Sequence, residues 1–112
     1  MKLFRIFWLP NPTPIAAAPP ASPQAIAPEE DASLPGGGNI ILSWAPEKLA
    51  ASYRFQVDDN IQFRRVLHTA QRTISQRFAI SGLKPGRYYW RLASNRPDGS
   101  PGPWGPVYQF TI

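Results

Sequence analysis

A chain of 112 residues has room for one small domain and a tail, because chains of this length do not normally divide into two independent cores. Fourteen prolines, eight glycines and 12% aromatic residues argue against a helical protein and favour strands, while the absence of cysteine excludes a disulfide-bridged antibody-type sandwich and any thiolate metal site. The net charge of +5 comes from basic residues scattered along the chain, which indicates a solvated basic surface and no specific nucleic-acid site.

The first segment, residues 1–23, is predicted to be a linker or the tail of a missing upstream domain. Its short apolar stretch, residues 6–9, follows Lys2 and Arg5 and ends before a run of alternating prolines. A signal peptide needs about 7–15 apolar residues, and a transmembrane helix needs about 20. Residues 10–23 are rich in proline and alanine, which predicts a disordered, extended and solvated spacer. We therefore expect no transmembrane segment and a folded domain over residues 24–112.

The folded part shows the period-two pattern of β-strands and no sustained helical periodicity. A first edge strand is predicted over residues 26–34, before Pro35 and a run of glycines. Six further strands are predicted over residues 40–44, 53–57, 66–69, 74–80, 88–92 and 107–112. Seven short strands separated by turn signals indicate an all-β sandwich or barrel.

Several of these segments together resemble a bacterial fibronectin type III-like domain. The segments are SLPGG at 33–37, ILSW at 41–44, YRFQV at 53–57, LKPGRYYWRL at 83–92 and GPW at 102–104. More narrowly, four segments resemble the C-terminal module of FecR-type envelope proteins. They are PGRYYWR, the following DG, GPWGP and the closing QFT. Such proteins often join a peptidoglycan-binding LysM segment, a FecR domain and sandwiches of this kind.

The resemblance implies a seven-stranded antiparallel Greek-key sandwich of the fibronectin type III or immunoglobulin-like type. The third, sixth and seventh strands would share one sheet, and the location would be periplasmic or associated with the cell envelope. It also assigns Tyr88 to the family's tyrosine corner, with its hydroxyl bonded to backbone near residues 83–85. Tyr89 is the alternative, but Tyr88 shares its face with Trp90 and Leu92.

Large side chains that alternate along the strands are expected to form the core, with Trp44 at its centre. The predicted core residues are Trp44, Tyr53, Phe55, Val57, Phe78, Tyr88, Trp90, Leu92 and Phe110.

The titratable residues form no catalytic or metal-binding pattern, so no cofactor, no metal and no enzymatic activity are expected. His68 is the only histidine and has no cysteine or carboxylate pair beside it, which predicts a surface position on an edge strand. Residues 58–60 offer too few oxygens for calcium and should cap a turn from which Phe63 folds back onto the core. Residues 29–31 should be a solvated acidic run, without the fixed separation that acid–base catalysis requires.

The remaining candidate for a function is an outward-facing patch. Its members lie on the outer face of the third, sixth and seventh strands or in the loop before the last one: Arg54, Gln56, Tyr89, Arg91, Gln109 and Trp104. Tyrosine and arginine are enriched at binding hot spots, which makes this patch a candidate contact face. The alternative is that the cation–π contacts belong to an ordinary sheet surface that has no binding role. Trp104 could instead cover the end of the core or present an aromatic platform.

Three functions follow from these observations. The first is a noncatalytic protein-interaction or spacer module of a bacterial cell-envelope protein, FecR-like and in a signalling or regulatory context. The second is a carbohydrate- or peptidoglycan-binding accessory domain, which would need Tyr89 and Trp104 exposed and coplanar for stacking on sugars. The third is the sandwich of a truncated larger enzyme. We expect a monomer, because Pro28 and the shortness of the strand at 66–69 protect the two predicted edges.

Overall fold

The computed structural model describes residues 20–112, which form eight β-strands. They are β1 (Ala25–Ala27), β2 (Ala32–Ser33), β3 (Ile40–Trp44), β4 (Ser52–Asp58), β5 (His68–Thr73), β6 (Arg77–Ile80), β7 (Arg87–Asn95) and β8 (Tyr108–Thr111). Over these residues no helix is long and apolar enough to cross a membrane.

The strands are arranged in two sheets that face each other across one core. One sheet has three strands in the order β1-β3-β6, and the other has five in the order β2-β8-β7-β4-β5. As predicted, the strands that contain Tyr53, Trp90 and Phe110 lie side by side in one sheet. The all-β sandwich is therefore confirmed, although the strand count and the pairing differ from the prediction.

The main difference lies in the predicted first strand, which divides into two short strands that belong to different sheets. Ala25–Ala27 pairs with β3, whereas Ala32–Ser33 pairs with β8. Between them, Pro28 has no N–H to donate to a ladder, and Asp31 has a positive φ of 62°. The chain therefore crosses from one sheet to the other, which produces an eighth strand. The β2–β8 pair is parallel, so the prediction of a purely antiparallel sandwich was wrong at this point.

Two further strands are displaced from their predicted positions, and one edge was missed. The strand expected at residues 66–69 is found as β5, which begins at His68 and ends at Thr73. The strand expected from Ile74 begins only at Arg77, and Ile74 is 81% exposed. The sheet edges are β1 and β6 in one sheet and β2 and β5 in the other. The β6 edge was not anticipated, because local alternation does not distinguish an edge strand from a central one.

The core lies between the sheets and is dominated by aromatic rings. Trp44 packs against Tyr53 and Phe55, with ring centroids 5.9 and 6.2 Å away. Every predicted core residue except Phe78 is buried, and Ile40, Leu42 and Ile80 join them. Phe78 faces inward, with its ring 4.7 Å from that of Phe55, but it is 36% exposed because it lies on the β6 edge.

Tyr88 occupies the position expected of a tyrosine corner. Its hydroxyl donates a hydrogen bond of 2.6 Å to the carbonyl of Lys84, four residues upstream. Its ring stacks on Phe110 at 5.6 Å, so this bond fixes the turn before β7 to the core. Tyr89 points to the opposite face of the sheet and takes no part in this corner.

The end of the predicted linker packs against the sandwich. Pro20 and Pro23 are buried, and the Ser94 hydroxyl donates a hydrogen bond of 2.7 Å to the carbonyl of Ala21. Gly105 lies so close to Ser22 that a β-carbon added to the glycine would meet the serine side chain. The rest of the predicted linker, residues 1–19, lies outside the described residues.

This packing predicts a specific cost for adding one methyl group at Gly105. We expect Gly105→Ala to destabilise the domain by about 1–2 kcal/mol, because either Ser22 or the loop must move, as in other overpacked sites. Gly38→Ala is the control, since nothing lies within 4 Å of a β-carbon at that position. Urea unfolding of the full chain would measure both. Equal stabilities of the two variants would show that residues 20–23 do not pack against Gly105.

Candidate functional site

The central strands of the five-stranded sheet bring the predicted contact residues onto one outer face. Along β4 the side chains alternate between core and surface, which directs Arg54 and Gln56 outward. The same alternation along β7 directs Tyr89 and Arg91 outward. The antiparallel register places Gln56 directly opposite Arg91, so these two side chains are immediate neighbours.

Four side chains form a continuous series of contacts on this face, which we call the arginine ladder: Phe63, Arg91, Trp104 and Arg54. The guanidinium carbon of Arg91 lies 4.1 Å from the ring centroid of Phe63 and 4.5 Å from that of Trp104. The guanidinium carbon of Arg54 lies 3.9 Å from the Trp104 ring. Each such cation–π contact stabilises by about 0.5–1 kcal/mol at an exposed site, and the series restricts all four side chains.

The hydrogen bonds of the two ladder arginines go to neutral oxygens. Arg91 donates from Nε and Nη2 to the side-chain oxygen of Gln56, at 3.0 and 2.7 Å. Arg54 donates from Nη2 to the carbonyl of Gly102 at 3.1 Å. Neither guanidinium pairs with a carboxylate among residues 20–112. The two positive charges are therefore held in place without a compensating negative charge.

The electrostatic environment of the ladder disfavours positive charge. Partial burial lowers the pKa of Arg54 below its usual value. Burial, and secondarily repulsion by Arg54, lowers the pKa of Arg91. An arginine pKa is normally so high that both groups remain cationic at neutral pH. An anion bound near the ladder would offset this repulsion.

Phe63 reaches the ladder through the turn that follows β4. The buried carboxylate of Asp58 accepts backbone hydrogen bonds from Asp59 at 2.9 Å and from Arg65 at 3.1 Å, so it caps the turn as predicted. Phe63 is 8% exposed and has a φ of 52°. It is buried, as the expectation of folding back implied, but it packs beneath Arg91 on the outer face and does not join the core cluster between the sheets.

Trp104 is held by a loop that stays hydrogen-bonded to β7. The N–H groups of Gly102 and Gly105 donate to the carbonyls of Ser94 and Leu92, both at 2.8 Å. The indole is half-buried on the outer sheet face between these two attachments. It therefore neither covers the end of the core nor stands free as an aromatic platform.

Tyr89 and Gln109 belong to the predicted patch but lie apart from the ladder contacts. Tyr89 is half-buried beside Gln109 in the β7–β8 register. The side chain of Gln109 donates to Asp31 at 2.6 Å, and its backbone N–H donates to the Glu30 carboxylate at 2.8 Å. The acidic run is thus exposed, as predicted, but it also fastens the β1–β2 crossing to β8.

The histidine and the acidic residues among residues 20–112 form no metal-binding arrangement. His68 is half-buried at the start of the β5 edge strand. Within residues 20–112 no group of three or more histidine, cysteine, aspartate or glutamate residues could hold a metal ion.

The comparisons with known proteins concern the fold. No protein-family model and no curated protein matches the chain. An Fn3-like protein from Clostridium thermocellum is 18% identical, with a TM-score of 0.62 over 84% of this chain and 94% of that chain. Fibronectin(III)-like modules of Clostridium thermocellum CbhA are 11% identical, with a TM-score of 0.58 over 80% and 94% of the two chains.

A third similar structure comes from human. The fibronectin type III domain of human fibronectin type III domain containing protein 3 is 14% identical, with a TM-score of 0.54 over 86% of this chain and 87% of that chain. The resemblance to FecR-type modules has no counterpart among these structures. The two-sheet order and the three similar structures agree on the architecture, and the described residues form a fibronectin type III-like β-sandwich.

Proposed function

We propose that this domain is a noncatalytic protein-interaction module whose contact surface is the arginine ladder. The observation that carries the proposal is that two arginines are fixed on one sheet face and pair with no carboxylate within the part of the chain that the structure describes. A surface that is ordered before binding loses less side-chain entropy when a partner arrives. Arginine and tryptophan are also the side chains that most often dominate binding energy.

Fold similarity supports the noncatalytic part of the proposal. The similar bacterial structures are described as an Fn3-like protein and as fibronectin(III)-like modules, which fits an accessory or spacer domain. The buried carboxylate on the ladder side of the molecule, Asp58, already caps a turn. That role leaves it unsuited to acid–base chemistry.

The cellular setting that we propose is the bacterial cell envelope, in a FecR-like signalling or regulatory context. Its support is the sequence alone: the PGRYYWR and GPWGP segments and the proline-rich stretch that precedes the domain. In that setting, a spacer would set the reach of the module and the ladder would provide the contact.

Carbohydrate binding is less well supported by the geometry. Stacking on a sugar ring needs a free aromatic face, and the Trp104 indole is already stacked by two guanidinium groups. Tyr89 is half-buried and makes no ring contact with Trp104 that would indicate a shared platform.

A pull-down from a bacterial envelope extract tests the proposal. We expect the immobilised full chain to retain a protein that Arg91→Ala loses at least tenfold, because that change interrupts the ladder at its centre. Arg77→Ala is the matched control, since Arg77 is exposed on the opposite, three-stranded sheet. Circular dichroism would verify that both variants are folded.

Other results would redirect the proposal. Equal loss in the two variants would indicate attraction by net charge alone. Retention on purified peptidoglycan, without any protein, would favour the carbohydrate-binding function. Capture of neither material would leave a spacer as the function of the domain.

A further inference from the structure

We propose that Arg54 and Arg72 form a carboxylate-binding pocket beside the arginine ladder, and that it receives an acidic side chain from an extended peptide segment of the partner. This inference rests on the proposed interaction function and names the chemistry of the partner. It is carried by the lining of the pocket, by a β-bulge and by an open strand edge.

The pocket lies on the ladder side of the molecule, and most of its lining residues have polar side chains. Its volume is about 370 Å³, and its lining consists of Arg54, Gln71, Arg72, Asn95, Gly99 and Pro101. Two of these residues are cations and none is an acid. A pocket lined by positive charge and neutral amides favours an anionic occupant.

A bulge in β5 brings the second arginine to this place. Tyr53 lies opposite Thr73 and Phe55 lies opposite Ala70, so Arg54 alone faces both Gln71 and Arg72. A β-bulge of this kind redirects side chains and is frequent beside functional sites. Here it places Arg72 together with Arg54 around one pocket, although regular alternation along β5 would not have paired them.

The loop after β7 is shaped to receive Arg72. Gly99 has a positive φ of 88°, and a β-carbon at this position would collide with the guanidinium of Arg72. The carboxylate of Asp98, the preceding residue, accepts hydrogen bonds from the backbone N–H and the hydroxyl of Ser100 at 2.9 and 2.7 Å. Those bonds hold the pKa of Asp98 below its usual value and direct the carboxylate into its own loop.

Arg54 has hydrogen-bonding capacity that the domain itself does not use. Its Nη2 donates to Gly102, whereas its Nε is buried without a partner. A guanidinium carries five N–H donors in a fixed fork that matches a carboxylate. Arg54 is therefore held against Trp104, and the donors left for a carboxylate are those of Nη1, which makes no hydrogen bond within residues 20–112 and is not buried.

The neighbouring strand edge indicates that the carboxylate belongs to a peptide. β5 is the outer strand of the five-stranded sheet, so its outer backbone groups can pair with an added strand. A peptide paired there would direct alternate side chains to the ladder side, beside the pocket. The net charge of +5 would further attract an acidic segment.

The test is an NMR titration of the isotopically labelled full chain with a capped hexapeptide of alternating glutamate and threonine. We expect this peptide to shift the Nε–H signals of Arg54 and Arg72 and the backbone amide of Gly99. Arg72→Gln should weaken binding at least tenfold. Arg77→Gln removes the same charge on the opposite sheet and should change binding less than twofold.

Several outcomes would overturn the inference. The first is that a peptide with glutamine in place of glutamate binds as tightly as the glutamate peptide. The second is that Arg72→Gln and Arg77→Gln weaken peptide binding equally. The third is that a single-stranded oligonucleotide or phosphatidylglycerol vesicles bind the pocket more tightly than the peptide does.

The two proposals fail in different ways. If Arg91→Ala loses the captured protein while Arg72→Gln alters neither capture nor peptide binding, only the pocket is disproved. If peptide binding depends on Arg72 but the extract yields no protein, the pocket stands and the interaction function fails.

Discussion

Replacing Phe55 with alanine is expected to destabilise the domain by about 3–5 kcal/mol, the usual range for a buried phenylalanine. The ring is fully buried on β4 and packs against Trp44 and Phe78 at 6.2 and 4.7 Å. Because β4 lies between β7 and β5, the surrounding strands cannot easily close the cavity. Small domains are stable by about 5–15 kcal/mol, so this variant would be marginal at best. Urea unfolding followed by tryptophan fluorescence would measure the loss.

Phe78→Ala is the matched control for this prediction. It removes the same ring from the same aromatic cluster, but at a position on the β6 edge that is already 36% exposed. We expect a loss of about 1–2 kcal/mol, since less area leaves water on folding and solvent can fill the space. Equal losses for the two variants would contradict the placement of Phe78 at the periphery of the core.

The second large effect is expected at Asp58. Asp58→Ala should cost about 2–3 kcal/mol, because it leaves two partly buried N–H groups, those of Asp59 and Arg65, without an acceptor. The turn they close also positions Phe63 beneath Arg91. The variant should therefore loosen one end of the ladder, which would appear as exchange broadening of the Arg91 Nε–H signal in NMR spectra.

Asp59→Ala separates this capping role from a simple change of charge. Asp59 is the adjacent carboxylate and is exposed. Its removal should change the free energy of unfolding by no more than about 0.5 kcal/mol, as is usual for surface substitutions. If both variants were equally destabilised, net charge and not capping would be responsible.

The sequence was informative wherever a strand alternates strictly between apolar and polar residues. Alternation along β4 and β7 was enough to predict which residues are buried and which face outward, including Arg54 and Arg91. The tyrosine corner was implied by the resemblance to fibronectin type III-like domains, and Tyr88 was preferred over Tyr89 because it shares a face with Trp90 and Leu92.

Other features depend on register and backbone conformation, which local pattern does not determine. The bulge that joins Arg72 to Arg54 adds one unpaired residue without any glycine or proline in β5 to reveal it. Phe63 lies beneath Arg91 on the outer face, and its backbone adopts a positive φ, which is rare for a phenylalanine. The division of the first strand at Pro28 could be suspected from the proline, but its change of sheet could not.

The parallel pairing of β2 with β8 determines how the domain would respond to mechanical tension along the chain. Opposed forces on the start of β2 and the end of β8 would act along the axes of these two strands and would slide one strand past the other. The bonds from Asp31 to Gln109 at 2.9 Å and from Leu34 to Thr111 at 2.8 Å would then bear the load together. In an antiparallel hairpin pulled from its open end, the bonds would break one after another. The β2–β8 pair would therefore resist such tension as a unit and would not come apart bond by bond.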